Sequence, residues 1–161
     1  MNDRIINNIG LISLGCAKNQ VDAEVMLGLL KNAGFNIVNE SEDADIIIIN
    51  TCGFIESAQQ ESVETILEQC KYKELGRCRY VIVTGCLAER YKDELLKEIP
   101  EIDGVVGTAK YPDILEVIKD VEKGIRKSYG DEAVLDVEQL PRVITTNSGM
   151  AYLKIAEGCN N

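Results

Sequence analysis

Three cysteines in this chain recur in one local setting. LISLGC ends at Cys16, IIINTC at Cys52 and VIVTGC at Cys86. In each string an apolar run meets a small or polar residue, and the cysteine follows. The intervals of 36 and 34 residues each suit one strand and its helix. Thiolates brought together in this way are soft-metal ligands, for an iron–sulfur cluster first and for zinc or copper second. The chain contains no histidine. That excludes Ser–His and Cys–His catalysis within it, and also a mixed Cys/His zinc site. A cluster fully held by protein takes four cysteines, so three leave one iron open. An open position is where a metal site does chemistry. The competing reading of any single cysteine is a small buried hydrophobe. Three at the same station weigh against it.

The other cysteines read differently. Cys70 falls on the apolar stripe of a predicted helix and suits core packing. Cys78 lies in KELGRCRY, where nothing points to a ligand. Cys159 follows strand-like Tyr152–Ala156 and the turn Glu157–Gly158, as if a further domain began there.

The elements that must position the first three come from alternating short apolar runs and helical patterns, the mark of βαβ units. Strands are expected at Ile9–Leu14, Phe35–Val38, Asp45–Asn50, Tyr80–Thr84 and Gly104–Val106. The four isoleucines Ile46 to Ile49, without alternation, require a strand buried on both faces. Helices are expected from Gln20 to Ala33, with Asn19 as N-cap and Gly34 just past the end, and from Ile55 to Tyr72. Two more are expected before Pro100 and after Pro112. The expected fold is α/β, a doubly wound, mostly parallel five-stranded sheet of order 2-1-3-4-5 with helices on both faces. Ligands of such sheets bind beyond the carboxyl ends of the strands, where all three cysteines fall. Residues 1–122 form the domain, 123–150 a linker with at most one short extended piece, and 151–161 the start of something else.

The balance of 27 acidic and 17 basic residues gives a net charge of −10. This argues against direct nucleic-acid binding through phosphates and suits a basic protein partner. No run approaches the length of a membrane helix, and MNDRIINNIG lacks the apolar core of a signal peptide. A cytoplasmic protein is expected.

The segments ISLGCAKNQVDAE (Ile12–Glu24), INTCGFIESAQQES (Ile49–Ser62) and VTGCLAERY (Val83–Tyr91) resemble the N-terminal domain of radical-SAM methylthiotransferases. AYLKIAEGCNN (Ala151–Asn161) resembles the opening of their radical-SAM barrel, with Cys159 matching the first cysteine of a CxxxCxxC motif. Ala17 and Gly53–Phe54 favour the branch that modifies an aspartate of a ribosomal small-subunit protein. The alternative is the tRNA-modifying branch, which usually reads GCQxN or GCKxN and then NTCS or NTCA. The resemblance implies that Cys16, Cys52 and Cys86 bind an auxiliary 4Fe–4S cluster whose open iron carries sulfur. S-adenosylmethionine methylates that sulfur. It also implies a second cluster, shared by Cys159, that cleaves another S-adenosylmethionine to a radical. That radical abstracts hydrogen from the aspartate β-carbon, where the methylthio group is inserted. The implied partners are the ribosomal protein and the chain's own barrel, and the isolated domain should be inactive. The reading from a different class is a non-catalytic thiol module, a zinc site or redox sensor.

By position, Asn19, Asn50, Thr51 and Thr84 flank the cysteines and could bond cluster sulfurs. Ordinary strand-end turns would explain Asn50, Thr51 and Thr84 equally, and a helix cap would explain Asn19. Gly15, Gly53 and Gly85 are expected to permit tight turns there.

Overall fold

A computed structural model describes residues 5–130 and 140–145. Six parallel strands form one sheet: β1 (Asn8–Ser13), β2 (Asn36–Val38), β3 (Ile46–Thr51), β4 (Tyr80–Gly85), β5 (Gly104–Val106) and β6 (Lys127–Tyr129). Their order is β2-β1-β3-β4-β5-β6. The expected order of the first five holds, and the α/β class with it. The count of five does not, because β6 pairs parallel to β5, Gly104 opposite Lys127. Its three residues, Lys-Ser-Tyr, are too short and too polar to announce an edge strand by pattern.

The helices are α1 (Ala17–Asn32), α2 (Glu56–Cys70), α3 (Tyr72–Leu75), α4 (Cys86–Glu98) and α5 (Ile114–Glu122). Helices α1 and α5 cover one face of the sheet, α2 and α4 the other. The isoleucine run explains both cores. Ile46 and Ile48 pack under α1 and α5, while Ile47 and Ile49 face α2 and α4. All four are fully buried, each contributing about 2 kcal/mol of apolar transfer free energy as an upper estimate.

Three helical expectations change. Helix α1 starts at Ala17, because extended Cys16 (φ −92°, ψ 177°) is itself the N-cap; Asn19 lies inside the first turn and caps nothing. Helix α2 ends at Cys70, and a separate turn, α3, follows. Its expected stripe is only partly used, since Ile66 and Cys70 are buried but Ile55 and Leu67 are exposed. Gly34, at φ +94°, does terminate α1 as expected.

At the amino end of the sheet Asp45 acts as an anchor. Its carboxylate accepts hydrogen bonds from the backbone N–H of Asn7 (3.0 Å) and Asn8 (2.9 Å) and from Arg77 Nε (2.8 Å). Burial alone would push its pKa up. The two N–H donors and the guanidinium outweigh burial and hold it below the usual carboxylate value. Among the described residues no helix is long and apolar enough to cross a membrane.

Candidate metal centre

The carboxyl ends of β1, β3 and β4 lie side by side, with Ser13 opposite Asn50 and Asn50 opposite Thr84. Each strand delivers its cysteine one to three residues later. Cys16 caps α1, Cys52 follows β3 directly, and Cys86 is the first residue of α4. The topology thus brings the three predicted residues to one end of the sheet. Cys16 is exposed, and Cys52 and Cys86 are half-buried. All three are free thiols.

Glycines make this convergence possible. Gly15 has φ +96° and Gly85 φ +95°, a region that L side chains rarely adopt. A Cβ on Gly15 would lie 2.6 Å from Cys52 Cβ and 3.0 Å from Cys52 Sγ. The β1–α1 loop can therefore close on Cys52 only with glycine there. A Cβ on Gly85 would run into the backbone of Thr51 and stand 2.7 Å from Asn50 Oδ1. Gly53 lets the Cys52 loop rest on the start of α4, since its Cβ would be 2.9 Å from Leu87 N.

Asn19 is the fully buried centre of the polar framework. Its Nδ2 donates to the carbonyls of Leu14 (2.9 Å) and Thr51 (2.7 Å), tying the ends of β1 and β3. Asn50 Nδ2 in turn donates to the Asn19 carbonyl at 2.6 Å. The Asn19 Oδ1 is left facing the Cys86 thiol, Sγ to Oδ1 3.8 Å. Thr51 Oγ1 donates to the Thr84 carbonyl at 2.6 Å, lacing β3 to β4. Of the four flanking residues expected from position, Asn19 alone has a hydrogen bond from one of these thiols. Asn50 and Thr51 instead direct theirs to the framework that holds the loops.

Burial, reinforced by the neighbouring Cys52 and Cys16 thiols and by Asp22, pushes the Cys86 thiol up; Lys18 opposes this. Ionising one of these thiols therefore makes ionising the next harder, unless a cation shares them.

The donor set is three thiols in a chain without histidine. Among the described residues no three His, Cys, Asp or Glu side chains stand close enough together to hold a single metal ion. Three thiols and no imidazole form a soft donor set, which suits an iron–sulfur cluster first and zinc or copper second. Cys159, expected to ligate a second cluster, lies outside the described residues, as does the expected strand at 151–156.

Two contributors lie within the quoted Ile49–Ser62 segment, but no pattern there assigns them a role. Ser62, fully buried on α2, accepts from the Cys52 N–H (3.1 Å) and donates to the Cys52 carbonyl (2.8 Å), clamping that residue by its backbone. Gln59 Nε2 holds the next carbonyl, Gly53 O, at 2.9 Å. Ten and six residues separate these from their partners, so only the fold pairs them.

A family model described as "Uncharacterized protein family UPF0004" matches residues 8–107, the span from the first strand to the loop after β5. The chain is 54% identical over 157 residues to "Ribosomal protein uS12 methylthiotransferase RimO" of Thermoanaerobacter sp., covering 97% of this chain and 36% of that protein. The protein of the same name from Acetivibrio thermocellus is 54% identical over 161 residues, 95% of this chain and 35% of the relative. That from Clostridioides difficile is 52% identical over 155 residues, again 95% and 35%. The chain thus spans about a third of the length of these relatives. With the three-cysteine strand ends inside the matched span, the chain belongs to the UPF0004 family.

Proposed function

We propose that this chain is the auxiliary-cluster domain of a radical-SAM methylthiotransferase that acts on ribosomal protein uS12. The observation that carries the reading is the close approach of the Cys16 loop to Cys52, through Gly15, at the strand ends where Cys86 also stands. Cys16, Cys52 and Cys86 would hold a 4Fe–4S cluster. When bound, such a cluster supplies one iron not taken by a protein thiolate, a position open to sulfur. The chain's own part is placement. Asn19 and Thr51 fix the three loops, Ser62 holds Cys52 by its backbone, and the Asn19 amide oxygen meets the Cys86 side chain. Cys52 and Cys86 are half-buried and Cys16 is exposed, so solvent reaches the three from the side of Cys16. The activity named for the relatives and the motif likeness support the substrate, and the acidic charge suits a basic protein. The division into a domain at 1–122, a connecting stretch at 123–150 and a further domain opening at 151, with Cys159 in its cluster, belongs to the same proposal. So do the S-adenosylmethionine requirement, the cytoplasmic location and the inactivity of the domain alone.

The test is methylthio transfer by the full-length protein to ribosomal protein uS12 and, in parallel, to tRNA. Incorporation into the ribosomal protein is expected; incorporation only into tRNA would overturn the branch.

A further inference from the structure

Glu24 is a fully buried carboxylate in α1. Its near neighbour Asp22 is buried too, and the Glu24 carboxylate takes no part in the thiol framework. Its partners come instead from residues 140–145, more than a hundred positions away. Arg142 Nε and one Arg142 terminal nitrogen each reach Glu24 Oε2 at 2.6 Å. The backbone N–H and the hydroxyl of Thr145 both donate to Oε1 at 2.8 Å. Burial works to raise the carboxyl's pKa, but these donors prevail and keep it below the usual value.

Two further observations point to the same contact. The Val143 N–H donates to the Glu24 backbone carbonyl at 3.0 Å. And α1 carries a glycine, Gly28, in mid-helix, where glycine is ordinarily unfavourable. A Cβ there would lie 2.7 Å from the carbonyl carbon and oxygen of Pro141. Gly28 is the seat on which the strap lies.

The order of contacts gives the strap a direction. Pro141 meets Gly28, Arg142 meets Glu24, and Thr145 meets both Glu24 and Gln20, the last by Gln20 Nε2 to Thr145 Oγ1 at 3.0 Å. The strap runs antiparallel to α1, towards its amino end. Gln20 stands one helical turn, about 6 Å along the axis, from Cys16.

From this we infer that Glu24, Arg142 and Gly28 are positioning residues that direct the following chain to the cysteine end of the sheet. Resting on the proposed function, the occupant delivered there is the radical-forming domain of the same protein, brought to the side of the exposed Cys16. A buried, multiply bonded carboxylate fixes where that domain attaches, which a free linker would leave undefined.

The test uses the full-length protein carrying Glu24→Gln and, separately, Gly28→Ala. The second variant favours helix formation, so it lifts the strap without weakening α1 itself. Two quantities are read: amide exchange of the 140–145 segment, and methylthio groups transferred per 5′-deoxyadenosine formed. Exchange of the segment should quicken roughly 100-fold in Glu24→Gln. Transfer per 5′-deoxyadenosine should fall at least about tenfold in both variants, with iron content unchanged. Unchanged exchange in both would overturn the clasp. Faster exchange with unchanged coupling, or loss of iron from Gly28→Ala, would overturn the positioning role. A wild-type protein that transfers no methylthio group would sink the proposed function instead, and the exchange data would still decide the clasp.

Discussion

Among the described residues, two cysteine neighbourhoods lie at opposite ends of one sheet, and they differ in almost every physical respect. Cys16, Cys52 and Cys86 follow strand ends, reach solvent in part, and meet glycine turns and helix starts. Cys70 ends α2 and Cys78 precedes β4; both are buried among Ala44, Ile47, Val81 and Ile102. Burial, the largest cause for each, pushes both of these thiols up to about 11. The Cys78 thiol is occupied in donating to the Tyr80 carbonyl at 3.3 Å. Residue type is identical, so chemistry follows from station: a thiol in the core is an inert hydrophobe, and a thiol at a strand end is available to a metal.

The largest effect expected is on iron. Anaerobic reconstitution of Cys52→Ala should lose nearly all of the iron bound by the wild type, whereas Cys70→Ala and Cys78→Ala should retain it, as metal analysis will show. Equal loss from both sets would erase the distinction between the two ends.

Next comes stability at the amino end. Asp45→Ala should cost about 3–5 kcal/mol in urea unfolding, because it strands Arg77 and two N–H groups. Gly85→Ala, at the Cys16–Cys52–Cys86 end, should cost about 1–3 kcal/mol from backbone strain, with the clash on Thr51 in addition. Cys78→Ala should cost only about 1–2 kcal/mol.

Acid sharpens the comparison further. Asp45 and Glu24 both have folded pKa values held below their unfolded ones. Their stabilisation is present above the unfolded carboxylate pKa of about 4 and is lost as pH falls through the lower folded values. The urea midpoint should therefore be flat from neutral pH to about 5 and drop below about 4. Asp45→Asn should lose part of that drop.

The smallest effect is on labelling rate. At about pH 8 Cys16 should alkylate first, and Cys70 and Cys78 only when the chain unfolds, read by peptide mass. Rapid labelling of Cys70 in folded protein would contradict its burial.

Much of this architecture is legible in the amino-acid sequence. The isoleucine run dictates a two-faced central strand, and the three Cys-terminated runs dictate which end of the sheet holds the site. What escapes does so for local reasons. Lys127–Tyr129 has no apolar pattern, so β6 is written only in its pairing with β5. Asn19 reads as a cap because capping is the commoner use of asparagine before a helix. Cys16 already holds that position, and this frees the Asn19 amide to tie β1 to β3. Cys78 sits in a polar string and yet is buried, because the loop folds under Ile47 rather than outward. The Glu24 clasp escapes because its partners at 142–145 lie more than a hundred residues further along the chain, too far to be found by pattern.

The three strand-end thiols, and not the buried pair, are proposed to hold one iron–sulfur cluster. Iron and acid-labile sulfide should be measured per chain after anaerobic reconstitution, for the wild type, Cys52→Ala and the Cys70→Ala/Cys78→Ala double variant. About four irons are expected in the wild type and double variant and close to none in Cys52→Ala. Stoichiometric zinc without iron in the wild type, or a full cluster in Cys52→Ala, would contradict that assignment.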